Sequence, residues 1–329
     1  MSALARYFAE KGIQVSGYDK TPSTLTDELI TEGMEIHFEE DADLIPADTD
    51  LVVYTPAIPE DNREMIHILK KGLPLMKRAE VLGTITAGTP TIAIAGTHGK
   101  TTTSTLIAHI LYQAGIPFIA FLGGISKNYH SNFIAGEGFT PGILRYATGS
   151  PDFFVVEADE FDRSFLYLHP HIAVITSTDP DHLDVYRDVD RMKQSFAEFA
   201  SQVIPGGFLL IKKGIGLPVT ARPGITQYTY HIAEGSDFHA AGLKVREGLY
   251  HFDLITPAGE GFRNLTLGLP GMFNLENAVA ASAVTCLAGV KEDLLRNALS
   301  SYRGVRRRFD FQILRKDLVY IDDYAHHPE

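Results

Sequence analysis

Two hydrophobic periods alternate along this chain. Short β-branched or apolar runs bounded by Gly, Pro or Asp predict strands at Gln14–Tyr18, Leu51–Tyr54, Thr91–Ala95, Phe153–Glu157, Ile172–Ser177 and Phe208–Ile211. Longer segments of helical period predict helices over Ser2–Glu10, from Thr101 through Leu106, Ile107, Ile110 and Leu111, over Val189–Ala200, Asn274–Leu287 and Lys291–Ser300. Strands that alternate with helices imply a mostly parallel sheet covered by helices, so the fold class is α/β. Residues 225–268 lose the rhythm, and their glycine-spaced short strands (HFDLITPAGEGFRNLTL) predict an antiparallel section. Phe311–Leu314 and Leu318–Ile321 read as two strands around a turn at Lys316-Asp317. One feature of the start is out of place. A doubly wound unit should open on a strand and a glycine-rich turn, yet a helix stands directly at residue 2. Either the chain is truncated there or its true start lies upstream.

Composition narrows the classes. The chain has 329 residues, 45% hydrophobic and 21% charged, which suits a globular protein of two or three domains. A formal net charge of −12 argues against a nucleic-acid-binding surface but not against a local phosphate site built from backbone. The single cysteine, Cys286, sits in an apolar helical run, which excludes an intrachain disulfide and suits a reducing, cytoplasmic setting. No stretch has the length of a membrane span, and the N-terminus does not read as a signal peptide.

The densest chemistry follows the Thr91–Ala95 strand. Gly96-Thr97-His98-Gly99 supplies the glycines of a tight turn, and Lys100, Thr101 and Thr102 open the next helix. Strand, glycine turn, Lys-Thr, helix is the layout of a phosphate-binding loop, or P-loop. Backbone N–H groups cradle phosphate oxygens, Lys100 neutralises their charge, and the Thr101 hydroxyl faces Mg²⁺. The general motif wants a glycine six residues before the lysine, where this chain has Ile94, so the fit is to a shorter G-T-x-G-K-T-T variant.

Two acidic clusters follow two other strand ends, where ligands gather in open α/β sheets. In Glu157-Ala158-Asp159-Glu160-Phe161-Asp162, the strand-end Glu157 is the candidate magnesium partner. Asp159, Glu160 and Asp162 read as a solvated acidic turn. In Thr178-Asp179-Pro180-Asp181-His182-Leu183-Asp184, His182 is a candidate metal ligand that Asp181 or Asp184 would orient. Arg306-Arg307-Arg308 is either a solvated basic patch or directed at phosphates. Asn274 and Asn277 are either helix caps or contacts to a base. Asp322-Asp323-Tyr324-Ala325-His326-His327-Pro328 is a dense polar run with no structural need for so many special residues.

The ordered set G-T-H-G-K-T-T-T (96–103), E-A-D-E (157–160), D-H-L-D (181–184), N-L-E-N-A-V-A-A (274–281), R-R-F (307–309) and D-D-Y-A-H-H-P (322–328) resembles the Mur ligases. These are the ATP-dependent, amide-forming enzymes of bacterial peptidoglycan synthesis. Met1-Ser2-Ala3-Leu4-Ala5 resembles the end of their G-x-G-G-I-G-M-S-A-L-A motif, which would place the first strand and glycine loop upstream. The resemblance implies a Rossmann-like UDP-sugar-binding domain over residues 1–88 and a central ATP-binding domain with a mostly parallel sheet over 89–310. It leaves 311–329 as a stub of a C-terminal amino-acid-binding domain that is otherwise nearly absent. The motifs are in the style of the branch that joins L-alanine to UDP-N-acetylmuramate; a branch that recycles murein tripeptide shares most of them. For a fragment of this extent, the alternative of another class is a non-catalytic module that binds ATP and UDP-sugar.

The implied roles are as follows. Gly96, Thr97, His98, Gly99, Lys100, Thr101 and Thr102 hold ATP phosphates; Asn274 and Asn277 serve the adenine side, Arg308 the phosphates and Asp323 the ribose. Thr101, Glu157 and His182 hold magnesium, two ions in all, with Lys100, Glu157 and His182 carrying the catalysis. Ser2, Asp19, Thr55 and Ala57 face the UDP-sugar. The chain departs from the family at three places. Ser177 stands where relatives often have Asn, Phe273 where they often have His, and Phe196 or Ala197 where several carry a carbamylated lysine, so no carbamate is expected. An ordinary kinase or GTPase reading fits poorly, since the guanine-reading N-K-x-D is absent.

Overall fold

A computed structural model of the chain describes residues 1–137, 152–180, 186, 188–217, 219, 222–259 and 261–324. The chain divides into two compact units, Met1–Ile85 and Thr86–Glu329.

The smaller unit runs α1 (Ser2–Glu10), β1 (Ser16–Tyr18), α2 (Thr24–Thr31), β2 (Glu35–His37), β3 (Val52–Tyr54), α3 (Arg63–Lys71), β4 (Leu75–Lys77) and α4 (Arg78–Thr86), whose last residue crosses the division. Its strands form two parallel pairs, β1 with β2 and β3 with β4. Helix α1 buries Ala3, Leu4 and Tyr7, and its Arg6 reaches Glu28 at 3.0 Å and Glu32 at 2.8 Å on α2. That guanidinium is buried while its carboxylates are only part-covered, so the pair orients α1 more than it stabilises it. Helix α3 has complete end signals: Asn62 Oδ1 accepts from Met65 N, and Gly72 closes it in the left-handed conformation.

The larger unit runs β5 (Thr91–Ala95), α5 (Lys100–Gln113), β6 (Phe118–Phe121), β7 (Phe133–Ala135), β8 (Phe153–Glu157), β9 (Ile172–Ile175), α6 (Val189–Ser201), β10 (Phe208–Lys212), β11 (Thr226–His231), β12 (Phe238–Arg246), β13 (Leu249–Ile255), β14 (Gly261–Leu267), α7 (Met272–Leu287), α8 (Glu292–Ser301), β15 (Asp310–Leu314) and β16 (Val319–Asp322). One ten-stranded sheet has the order β14-β13-β12-β11-β10-β9-β5-β8-β6-β7. From β11 across to β6 the neighbours pair in parallel; β7 and the β12–β13–β14 meander are antiparallel. The antiparallel section predicted for 225–268 therefore needs correction. Strand β11 pairs in parallel with β10 and, over two residues, with β12, and the meander extends the main sheet rather than forming a separate one. Strands β15 and β16 form a hairpin of their own.

Every residue of β5 is buried, as a central parallel strand covered on both faces requires. Helix α5 packs Leu106, Ile107, Ile110 and Leu111 into that core, and α7 lies against α5 through a run of fully buried alanines at 278, 280, 281 and 283. Each large apolar side chain removed from water here contributes about 1.5–3 kcal/mol. Behind β8, the 3-10 segment Phe161–Tyr167 is pinned by Phe165, which stacks on Phe199 and meets Phe196 edge-on, both from α6. Among the described residues, no helix is long and apolar enough to cross a membrane.

Helix α5 also buries a histidine. His109 Nδ1 lies 2.8 Å from the Tyr129 hydroxyl, and Nε2 lies 3.1 Å from Ala298 O and 3.0 Å from Ser301 Oγ. Burial lowers its pKa from 6.5 to about 4. The unfolded imidazole takes up a proton below pH 6.5 while the folded one resists until about 4. The stability it contributes is thus fully present above pH 6.5 and drains away as pH falls toward 4. The whole span corresponds to about 3 kcal/mol. Urea denaturation of the chain and of His109→Gln at pH 7 and pH 4.5 should show the wild type losing about 2 kcal/mol more than the variant; parallel losses would contradict this role.

Candidate active site

The site follows from register. Strand β5 pairs with β8 on one side and β9 on the other, with Ile94 opposite both Glu157 and Val174. The three strands end at one level, so the segments after them, Gly96–Gly99, Ala158–Glu160 and Thr176–Asp179, share one edge of the sheet.

The turn after β5 is held from the β9 side. Thr176 Oγ1 donates to Ala95 O at 3.1 Å and also to His98 O. Ser177 Oγ accepts from His98 N at 2.7 Å and bonds Thr97 Oγ1 at 2.9 Å; Thr97 N donates to Ser177 O at 3.3 Å. Asp179 N donates to Thr97 Oγ1 at 3.1 Å, and the Asp179 carboxylate lies 3.9 Å from His98 Nε2. The surroundings leave no room for a side chain at either glycine of the turn. A Cβ on Gly96 would stand 2.1 Å from Thr176 Oγ1, and one on Gly99 would stand 2.6 Å from Asn277 Oδ1. Both glycines also have positive φ, 132° and 82°. Gly99 is the N-cap of α5 and supplies no side-chain cap, so the first-turn N–H groups of α5 face the turn without an internal partner. That is an anion cradle.

Lys100 Nζ donates to Gly96 O at 2.6 Å and lies 2.9 and 2.7 Å from the two carboxylate oxygens of Glu160. Thr101 Oγ1 donates to Glu157 Oε1 at 3.0 Å, and Gly123 N donates to Glu157 Oε2 at 2.9 Å. Burial pushes the Glu157 carboxyl up from its ordinary range, with Lys100 and the Thr101 and Gly123 donors pulling against it. A bare, partly desolvated carboxylate beside a threonine hydroxyl and an anion cradle fits a hard divalent cation, which would take these oxygens and complete its shell from phosphate and water. Among the described residues, no group of three or more His, Cys, Asp or Glu side chains is placed to hold a metal by itself. His182, with Asp181 and Asp184, lies outside the described residues, as do His326 and His327.

The remaining expected residues divide into those the fold brings to the loop and those it does not. Asn277 reaches it, accepting from Thr103 Oγ1 at 3.2 Å. Asn274 instead donates to Pro270 O at 2.6 Å and is buried. Thr102 O accepts from the Tyr302 hydroxyl at 3.3 Å. Arg308 lies over the Tyr324 ring at 5.3 Å, and Asp323 Oδ1 accepts from Phe309 N at 3.2 Å. Among the described residues, no hydrogen bond or ion pair joins Arg308 or Asp323 to the loop. In the smaller unit, Asp19 and Thr55 follow β1 and β3 directly; Asp19 Oδ1 accepts from Thr21 N at 3.1 Å and Thr55 O accepts from Ile58 N at 3.2 Å. Ser2 is buried at the start of α1, and Ala57 is exposed in the Thr55–Pro59 turn.

One expectation is overturned. Glu160 is not part of a solvated acidic turn; it is 1% exposed and holds the loop lysine. Its backbone oxygen accepts from Tyr186 and from Arg163 N, and Phe165 anchors the segment behind it. The local sequence E-A-D-E-F-D carries no sign of this, because burial is decided by Phe165 and Tyr186 further along. Gly123 was also not anticipated. The Gly123-Gly124 pair is its signal: a Cβ at 123 would stand 2.3 Å from Glu157 Oε2, and one at 124 would stand 3.0 Å from Thr101 Cγ2.

Comparisons with known proteins agree with this geometry. Residues 94–285 match the Mur ligase middle domain, and residues 1–89 match the Mur ligase family, catalytic domain. A UDP-N-acetylmuramate–L-alanine ligase of Phocaeicola vulgatus is 46% identical over the whole chain, which spans 70% of that relative's length. Among solved structures, a UDP-N-acetylmuramate–alanine ligase of Thermotoga maritima matches the whole chain and 72% of its own, with 26% identity and a TM-score of 0.82. A UDP-N-acetylmuramate:L-alanyl-γ-D-glutamyl-meso-diaminopimelate ligase of Neisseria meningitides matches 93% of this chain and 96% of its own, with 25% identity and a TM-score of 0.79.

Gly123 gives a test of the cation reading. Gly123→Ala should fold normally yet displace the Glu157 carboxylate, weakening magnesium-dependent nucleotide binding by about tenfold or more while leaving magnesium-free binding nearly unchanged. Calorimetric titration with and without Mg²⁺ reads the difference, and equal losses in both would refute it.

Proposed function

The chain belongs to the Mur ligase family, and we propose that it is the ATP-dependent ligase joining L-alanine to the carboxylate of UDP-N-acetylmuramate in the bacterial cytoplasm. The observation that carries this reading is the phosphate cradle with Lys100, Thr101 and Glu157 at one sheet edge. The high identity to a named alanine-adding ligase favours the substrate.

In this reading the muramyl carboxylate attacks the γ-phosphorus of ATP, ADP leaves, and an acyl phosphate forms. The amine of L-alanine then attacks the acyl carbon, phosphate departs, and the amine gives up its proton. Two anions must meet in the first step, so the chief demand on the protein is charge neutralisation and alignment. The first-turn N–H groups of α5 bind phosphate oxygens, and Lys100 supplies the only positive side chain within the cradle's described contacts. Thr101 and Glu157, with His182, would hold two magnesium ions, which would add Lewis-acid polarisation of the phosphoryl group. Asn277 braces the loop beside the nucleotide, and Asn274, Arg308 and Asp323 serve the adenine side, phosphates and ribose. Ser2, Asp19, Thr55 and Ala57 contact the UDP-sugar. No side chain of the chain becomes a covalent nucleophile. The resemblance to the Neisseria structure supports a second amino substrate, the tripeptide L-alanyl-γ-D-glutamyl-meso-diaminopimelate.

A coupled assay of ADP release with MgATP and UDP-N-acetylmuramate tests the reading, with L-alanine or the tripeptide as third substrate. ADP release dependent on L-alanine is expected, and Lys100→Ala should lower kcat by about a thousandfold. Dependence on the tripeptide alone transfers the assignment to the recycling reaction, and near-normal turnover by Lys100→Ala overturns the role of the loop.

A further inference from the structure

The Lys100 ammonium is held by one backbone oxygen and one carboxylate. It donates to Gly96 O at 2.6 Å and to Glu160 Oε1 at 2.9 Å, and Glu160 Oε2 stands 2.7 Å from the same nitrogen. The lysine side chain is 13% exposed and that of Glu160 is 1% exposed, so water replaces little of this contact. The carboxylate neutralises the ammonium, so a phosphate gains the full charge of Lys100 only if an acceptor gives it up. Gly96 O is neutral and belongs to the loop backbone; Glu160 is an anion, the same kind of partner that a phosphate is. Nor can the carboxylate follow the lysine, because its residue is fixed by Tyr186, by Arg163 N and by the Phe165 anchor on α6.

We propose that Glu160 is a positioning residue that holds Lys100 in the phosphate-free loop and surrenders it to the phosphates of the nucleotide, so that nucleotide binding is an exchange of counter-ions at Lys100. The inference rests on the reading of Gly96–Thr101 as the phosphate loop for ATP. Two consequences follow from the geometry. The loop without nucleotide presents a neutralised lysine, which lowers its affinity for stray anions. The return of Lys100 to Glu160 competes with ADP, which speeds release of product. Glu160 thereby sets nucleotide affinity rather than the chemical step.

The test titrates the chain calorimetrically with magnesium and a non-hydrolysable ATP analogue. Glu160→Gln keeps the shape and removes the charge; it should bind about tenfold more tightly, as expected where the competent form is about a tenth of the population. Glu160→Asp keeps the charge but draws it back by one methylene, and its affinity should fall between the two. In a Lys100→Met background the gain from Glu160→Gln should disappear. A residue with a merely structural role would weaken binding when replaced, so the sign of the change is diagnostic. Binding that is unchanged or weaker in both Glu160 variants overturns the exchange, as does a gain that survives without Lys100. Failure of the parent chain to bind the analogue at all would remove the phosphate-loop reading itself, and the exchange with it.

Discussion

The site depends on β5 being hydrogen-bonded in parallel to β8 and β9 at once. Its registers set Ile94 level with Glu157 and Val174, so three strands finish together and their following loops have to share one volume. The small residues Ala93 and Ala95 let β5 be covered on both faces, and all of its residues are buried. The crowding that results dictates the turn. Thr176 and Ser177 from the β9 side fill the space where a side chain at Gly96 would stand, and Asn277 from α7 fills that at Gly99. The same crowding sets the carboxylates of the β8 side against Lys100 and Thr101 on the other flank.

What was legible in the sequence was what local chemistry decides. The loop, its helix and strands β5, β8, β9 and β10 carry strong periodic or glycine signals, and β8 begins and ends where its apolar run does, whereas β6 and β7 went unread. The smaller unit was only partly legible. Helix α1 and strands β1 and β3 were read, but β2 and β4 are three residues long and only partly buried, so they leave no apolar run to detect. Strand β11 (TQYTYH) was assigned to the antiparallel section with the glycine-spaced strands that follow it; its alternation suits either direction, and the pairing with β10 is a tertiary fact. Glu160 was misjudged for a related reason. Composition marks an acidic turn, but exposure is decided by aromatic side chains that arrive from α6 and from position 186.

Glu157 and Glu160 stand three residues apart on one segment, yet the fold gives them opposite electrostatic positions. Glu157 is the last residue of β8, so the strand fixes its direction, and its partners are the neutral Thr101 hydroxyl and Gly123 N–H. Those dipoles hold the carboxylate in place without cancelling its charge. Glu160 faces an ammonium, and its charge is already matched. Lys100, Glu157 and Glu160 together carry one more negative charge than positive. A cradle of that sign draws in a triphosphate only weakly by itself, however well its N–H groups are aimed, because like charges in a low-dielectric setting repel. A divalent cation at Glu157 reverses the sign of the balance, and displacement of Glu160 from Lys100 by phosphate makes the lysine charge available to the nucleotide. Cation binding and lysine release thus act on the same electrostatic deficit from its two sides, Glu157 by holding the cation and Glu160 by giving up the lysine.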